Sequence, residues 1–227
     1  MIYKAVLFDL DGTLLDTLDD LGESMNAVLA GRGFATHPIT AYTAFVGDGV
    51  GTLVRRSLPA GAGEDEALVN ELVPLMRSEY SRRWKAKTRP YEGIPELLDG
   101  ITARGLRMAV LSNKPHPATL EVVSHFLPRW KFDATFGARP GVPIKPNAAA
   151  ALEVSRQLAV PPAEFLYLGD TNTDMQTAAA AGMFPVGVLW GFRTPEELLS
   201  SGAKVIVAAP REVLSVLDSS VRATGGG

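Results

Sequence analysis

An α/β fold built on a parallel sheet, interrupted after its first strand by an all-helical segment, is what this 227-residue sequence predicts. Short apolar runs alternate with helical stretches along most of the chain, the pattern of a parallel sheet covered by helices on both faces. Residues 16–87 break that alternation and read as helix alone. Acids, hydroxyls and one lysine stand just past several strand ends, where α/β folds bind their ligands.

The first strand is Ala5–Phe8, an uninterrupted apolar run. Residues 16–30 follow as an amphipathic helix, with Leu18, Leu21, Met25, Val28 and Leu29 at near-helical spacing. Residues 50–58 and 64–87 are also helical in character, and Pro74 is expected to kink the second unless it opens a new helix. Residues 89–93 serve as the return linker. The core then resumes with a helix over 95–104, opened by Pro95 and stopped at Gly105. Further strands are expected over 107–111, 134–136, 165–168, 185–189 and 204–207. Further helices are expected over 117–126, 147–158 and 173–181, the last ending before Gly182. The resulting division is 1–15 with 88–227 as the α/β core and 16–87 as a separate helical domain.

Composition narrows the function classes. A hydrophobic content of 46% belongs to a globular chain. Lysine plus arginine total 22 against 25 acids, a net charge of -3 that gives no reason to expect nucleic-acid binding. With no cysteine there is neither a disulfide framework nor a thiolate metal site. The N-terminus lacks the pattern of a signal peptide, and no apolar run reaches the length of a membrane span. The expectation is a cytoplasmic protein without membrane partners, monomer or homodimer, with a mobile Gly225-Gly226-Gly227 tail.

Chemistry concentrates in four short segments. Asp9-Leu10-Asp11-Gly12-Thr13 sets two carboxylates at the end of the first strand, with Gly12 for a sharp turn and Thr13 for a hydroxyl. Like charges so close are electrostatically costly, and a cation or a catalytic task usually compensates. Asp and Gly also make ordinary turns. Ser112-Asn113-Lys114 ends another strand, where Ser112 and Asn113 can donate to an anion or merely cap the following helix. Lys145 precedes a helix and can act as a point charge for phosphate, although an isolated lysine is usually just solvated. In Gly169-Asp170-Thr171-Asn172-Thr173-Asp174, Asp170 again stands at a strand end, and Asp174 falls in the first turn of the next helix, where a carboxylate also suits the dipole. In a parallel sheet these segments converge on one edge.

In that order and context, Asp9-x-Asp11-x-Thr13, Ser112, Lys145 and Gly169-Asp170-x-x-x-Asp174 resemble the four motifs of the haloacid-dehalogenase superfamily of phosphohydrolases. The resemblance covers nearly the whole chain, because the helical segment matches that family's helical cap after the first motif. Within the superfamily the chain is most similar to phosphoglycolate phosphatases, through Phe45-Val46-Gly47-Asp48-Gly49-Val50 and through Trp190-Gly191-Phe192-Arg193 followed by Glu196-Glu197-Leu198. The resemblance implies a Rossmann-like core, a cap that closes over the site, and a Mg²⁺-dependent phosphatase acting on a small phosphorylated metabolite, plausibly 2-phosphoglycolate.

It implies Asp9 as the nucleophile that forms an aspartyl-phosphate, and Asp11 as the acid and base. Thr13, Ser112, Asn113 and Lys145 would steady the phosphoryl oxygens. The metal would lie among Asp9, Asp11 (through its carbonyl), Asp170 and Asp174, the last holding Lys145 or a metal-bound water. Arg55 and Arg56 could read a substrate carboxylate or lie on a solvated face. Gly47-Asp48-Gly49 could offer backbone amides or a hinge. Dehalogenase relatives lack an acid at the place of Asp11, and mutase relatives carry a histidine where this chain has Leu21. Pyrophosphate, nucleotide or sugar-phosphate chemistry on the same machinery remains open, as does a non-catalytic protein with a phosphorylatable aspartate. His37, His116 and His125 lack metal-ligand spacing, and Trp84, Trp130 and Trp190 read as packing residues.

Overall fold

The structure, a computed structural model, describes residues 3–222, with side chains through 219; the glycine tail lies outside them. Six parallel strands form one sheet in the order β5-β4-β1-β6-β7-β8. They are β1 (Ala5–Phe8), β4 (Arg107–Pro115), β5 (Ala134–Ala138), β6 (Phe165–Gly169), β7 (Phe184–Val188) and β8 (Val205–Val207). β1 is central, with Phe8 level with Val110 of β4 on one side and Leu168 of β6 on the other. The chain fills one half of the sheet with β4 and β5, then crosses to build the other half with β6, β7 and β8. The loops after β1, β4 and β6 therefore meet where the direction of winding reverses, the position at which such sheets open a crevice.

Side chains alternate faces along each strand. Ala5 and Leu7 of β1 join Ala109, Leu111, Phe165 and Tyr167 in one buried cluster with Ala151, Val154 and Leu158 of α7 (Ala149–Leu158) and Ala178 and Ala181 of α8 (Asn172–Ala181). Elsewhere in this unit, α5 (Ile94–Ala103) buries Leu97, Leu98 and Ile101, and α10 (Pro210–Arg222) packs against it and buries Val213 and Leu217. α6 (His116–Phe126) and the short α9 (Pro195–Ser200), capped by Thr194, complete this unit.

By its internal contacts the chain divides into residues 1–14 with 90–227, and residues 15–89. The second unit holds α1 (Leu18–Gly31), α2 (Tyr42–Phe45), α3 (Val50–Ser57) and α4 (Glu66–Arg83). Leu21, Met25, Val28 and Leu29 on α1, and Val69, Leu72 and Met76 on α4, are the buried stripes along which these two helices pack. α4 runs through Pro74 as one helix. Pro74 and Asn70, whose carbonyl loses its partner, both lie on the exposed side where solvent can serve it. The two chain crossings, β2 (Leu15–Asp16) and β3 (Arg89–Pro90), pair as a two-stranded ribbon too short to show as an apolar run.

Two further elements differ from the sequence reading. Ser112-Asn113-Lys114 is strand rather than loop, because β4 stays extended and buried through a register shift between Leu111 and Pro115. α10 is an amphipathic helix beyond the last expected strand, where the sequence analysis places no element. No helix among the described residues is long and apolar enough to cross a membrane.

Asp20 is the polar anchor of the helical unit. It is 1% exposed and accepts hydrogen bonds from Lys87 N at 3.1 Å, Thr88 N at 2.9 Å and Thr88 Oγ1 at 2.8 Å. A carboxylate on the first helix thereby fixes the segment that leaves the unit. Asp20→Ala strips partners from buried donors and is expected to lower the unfolding free energy by about 2–3 kcal/mol; urea denaturation measures it, and a change within error would show that Asp20 anchors nothing.

Candidate active site

β1 delivers Asp9 between its two neighbours. Asp9 N donates to Leu168 O at 2.9 Å, which seats the start of this loop against the end of β6. The chain then turns at Gly12, whose φ of 89° only glycine adopts without strain. A Cβ on Gly12 would also strike the Asp170 carboxylate and the Phe192 ring. The glycine thus serves both the turn and the close approach of Asp170.

Three carboxylates gather here. One oxygen from each of Asp9, Asp170 and Asp174 lies within 4.8 Å of the others, and all three residues are buried. Lys145 stands among them, its Nζ 2.8 Å from Asp9 Oδ1 and 2.6 Å from Asp174 Oδ1. Asp9 Oδ1 also accepts Leu10 N at 2.7 Å. Asp174 is an anchor: its Oδ2 takes Thr171 N at 3.1 Å and Thr171 Oγ1 at 2.6 Å, and its Oδ1 takes Tyr167 OH at 3.4 Å besides Lys145. It closes a capping box at the start of α8, so helix capping and fixing of the lysine fall to the same carboxylate.

Buried charge governs this cluster. Burial and then Asp174 push the Asp9 carboxyl well above its ordinary range. Asp170 is pushed up to about 7 by burial and then Asp174, against hydrogen bonds from Thr13 and Phe192 that favour its anion. Burial alone would depress the Lys145 ammonium, but Asp174 and Asp9 outweigh it, and the lysine stays charged. With all three carboxylates ionised, the one ammonium leaves an excess of two negative charges, which is why burial holds protons on Asp9 and Asp170 in the absence of a cation. A divalent cation balances that excess, and the donors are all oxygen, as hard cations require. The residues present therefore fit such an ion.

The remaining predicted site residues sort into three groups. Ser112 is buried beside Asn113 on β4 and its Oγ accepts Lys114 N at 3.1 Å. Asp11 lies in the same unit but turns its carboxylate to Lys114, with Nζ 2.9 and 2.8 Å from its two oxygens. Thr13 and Asn113, expected to face an anion, have other work. Thr13 Oγ1 donates to Asp170 Oδ1 at 2.8 Å. Asn113 Nδ2 donates to Lys145 O at 3.2 Å while its Oδ1 accepts Lys145 N at 2.9 Å. Both side chains orient the groups that carry charge, because a buried acid and a buried loop peptide need partners.

Arg55 and Arg56 belong to the helical unit and are engaged within it. Arg55 binds Glu66 at 2.8 Å and Gly63 O at 2.9 Å; Arg56 binds Asp48 at 2.6 Å. Gly47 and Gly49 both take positive φ around that Asp48. His37 Nε2 bonds Ser57 O, and His116 Nδ1 accepts Gly137 N, structural uses consistent with their lack of ligand spacing.

The structure gives site roles to residues that the sequence reading took only as a family likeness and, for Trp190, as packing. Trp190 Nε1 donates to Thr13 O at 2.8 Å, and Phe192 N donates to Asp170 Oδ2 at 3.0 Å. Between them, a Cβ on Gly191 would collide with Asp170 and with Gly12 O. This loop after β7 clamps the first and last motifs together. The Trp-Gly-Phe string was its only sequence signal.

The haloacid dehalogenase-like hydrolase family model matches residues 6–188, a span that runs from β1 through β7. A phosphoglycolate phosphatase of Nitrosospira multiformis is 31% identical over 219 residues, covering 96% of each chain. An N-acetylmuramic acid 6-phosphate phosphatase of Pseudomonas aeruginosa is 32% identical over 219 residues, again covering 96% of each. A crystal structure from Lactobacillus delbrueckii subsp. bulgaricus superposes with a TM-score of 0.89 at 30% identity, covering 96% of this chain and 99% of that one. Fold, site geometry and these likenesses agree: the chain belongs to the haloacid dehalogenase-like hydrolases and, among them, is similar to phosphoglycolate phosphatases.

Proposed function

We propose that this protein is a Mg²⁺-dependent phosphatase that hydrolyses a small phosphate monoester, 2-phosphoglycolate foremost, through a phosphorylated Asp9. The observation that carries this reading is the excess of buried negative charge around Asp9, relieved in part by Lys145. A carboxylate repels a phosphate ester, and such a site can act only once cations offset that repulsion. Asp9 and Asp170 would hold Mg²⁺, which when bound supplies that charge compensation for the ester as well. Asp174 is occupied with Lys145, Tyr167 and Thr171, and serves to fix the lysine.

This chain's residues then divide the chemistry. Asp9 attacks phosphorus as the P–O bond to the leaving group breaks. Lys145 and Ser112 steady the phosphoryl oxygens. Asp11 gives a proton to the departing alkoxide and later takes one from the water that hydrolyses the acyl phosphate, regenerating both acids. The helical unit, residues 15–89, acts as the cap that selects the leaving group. The relative from Pseudomonas aeruginosa favours a second reading, a sugar phosphate, because its likeness is as extensive as that of the phosphoglycolate phosphatase. Initial rates on 2-phosphoglycolate, N-acetylmuramic acid 6-phosphate and pyrophosphate separate the two; no turnover of any ester would sink both.

Asp9→Asn is expected to lower turnover by about 10⁴-fold or more while the protein still folds. Rapid quenching with ³²P-labelled substrate should trap acid-stable label on the native protein and none on the variant. Retained turnover would refute Asp9 as nucleophile.

A raised folded-state pKa at Asp170 makes metal-free protein lose stability as pH rises from about 4, its unfolded value, to about 7. Mg²⁺ competes with that proton. The Tm gain from added Mg²⁺ is therefore expected to be larger at pH 8 than at pH 5.5, and to disappear in Asp170→Asn. Differential scanning fluorimetry against an EDTA control measures it; an equal gain at both pH values would count against Asp170 as a ligand.

A further inference from the structure

Lys114 makes a buried ion pair that neither the motifs nor the charge cluster around Asp9 explains. Its side chain is 5% exposed and its Nζ lies 2.9 Å from Asp11 Oδ1 and 2.8 Å from Asp11 Oδ2. Its backbone is pinned on both sides. The N–H donates to Ser112 Oγ at 3.1 Å, and the carbonyl accepts Thr119 Oγ1, at the second turn of α6, also at 3.1 Å. A Cβ on Gly137 would collide with that same carbonyl and with Thr119 Oγ1, so β5 packs directly against this contact. A lysine stem normally wanders; here its root is fixed and its head chelates both oxygens of one carboxylate.

Holding both oxygens stops rotation of the Asp11 carboxylate, and the same residue's peptide sets the hydroxyl of Ser112. We propose that Lys114 is a positioning residue for proton transfer, aiming Asp11 at the leaving oxygen and so deciding how well the enzyme expels poor leaving groups. The inference rests on Asp11 as acid and base in the mechanism above. In the first step the Asp9 oxygen bonds to phosphorus, the ester P–O bond breaks, and a proton that Asp11 takes from solvent on one oxygen, giving up one of its two Lys114 contacts while the other oxygen stays held, goes to the alkoxide. In the second a water oxygen bonds to phosphorus, the acyl P–O bond breaks, and the water's proton returns to Asp11. Both steps need Asp11 in place, but the first does so only when the leaving group is a poor one.

The test compares an alkyl ester, 2-phosphoglycolate, with 2,4-dinitrophenyl phosphate, whose phenolate leaves without a proton. Lys114→Met keeps the length of the stem and removes the ammonium. It is expected to lower kcat on 2-phosphoglycolate by about 10- to 100-fold with KM little changed. First-turnover release of dinitrophenolate should persist within about threefold, a small part of a general-acid contribution. It should then be followed by slow turnover, giving a stoichiometric burst that the native enzyme lacks. Lys114→Arg should restore part of the alkyl-ester rate, and should Lys114→Met fail to fold, Lys114→Gln and Lys114→Arg carry the same comparison.

A rise in KM alone, equal loss of first-turnover rate on both esters, or unchanged kinetics would each overturn the proposal. Asp11→Asn separates the two levels of the argument. If it shows the burst and Lys114→Met does not, the mechanism stands and the role of Lys114 falls. If Asp9→Asn still turns over, the underlying mechanism falls whatever Lys114 does.

Discussion

The surplus of negative charge at the crossing point of the sheet is the constraint on which this structure turns. Three carboxylates cannot be brought together away from water unless something holds them, and each solution visible here answers that problem. Lys145 sits between two of them. Thr13 and the peptide of Phe192 bond the third. Asp174 carries the densest set of donors and has scaffold duties: it caps a helix and grips an ammonium. What remains is charge without an internal partner, on a set of oxygen donors that suits a divalent cation.

The architecture brings these groups together at little expense in sequence. β1 is level with both β4 and β6, so one register brings Asp9 to within one position of Ser112 and Asp170. Glycines then allow contacts that any Cβ would forbid, at Gly12 and Gly191. The helical unit has a different logic. Its stability rests on two apolar stripes and on Asp20, whose hydrogen bonds hold the outgoing strand.

Much of the fold was legible because apolar runs and helical spacing are local signals. The strands Ala5–Phe8 and Phe165–Gly169 announce themselves by composition, and the acids beside them by position. β2 and β3 were not legible, being two residues each and defined only by pairing with one another. The strand character of Ser112-Asn113-Lys114 was hidden because polar residues buried in a sheet look like a loop. Roles of side chains were the least legible. Thr13 and Asn113 have the chemistry to bind an anion, and nothing local says that Thr13 spends its hydroxyl on Asp170 or that Asn113 spends its amide on the peptide of Lys145. Arg55 and Arg56 likewise had the right charge, but Glu66 and Asp48 claim them. Long-range pairing decides such matters, and spacing along the chain is blind to it.

Asn113 reads the backbone of Lys145 much as one base reads another, with a donor and an acceptor presented on one edge. Neither Asp nor Leu could substitute, since the first lacks the donor and the second lacks both. Because the grip falls on the peptide at Lys145 itself, the stretch from Arg139 to Ile144 is relieved of any duty to aim the lysine. The ammonium therefore takes its address from β4, across the sheet, rather than from the chain that leads up to it.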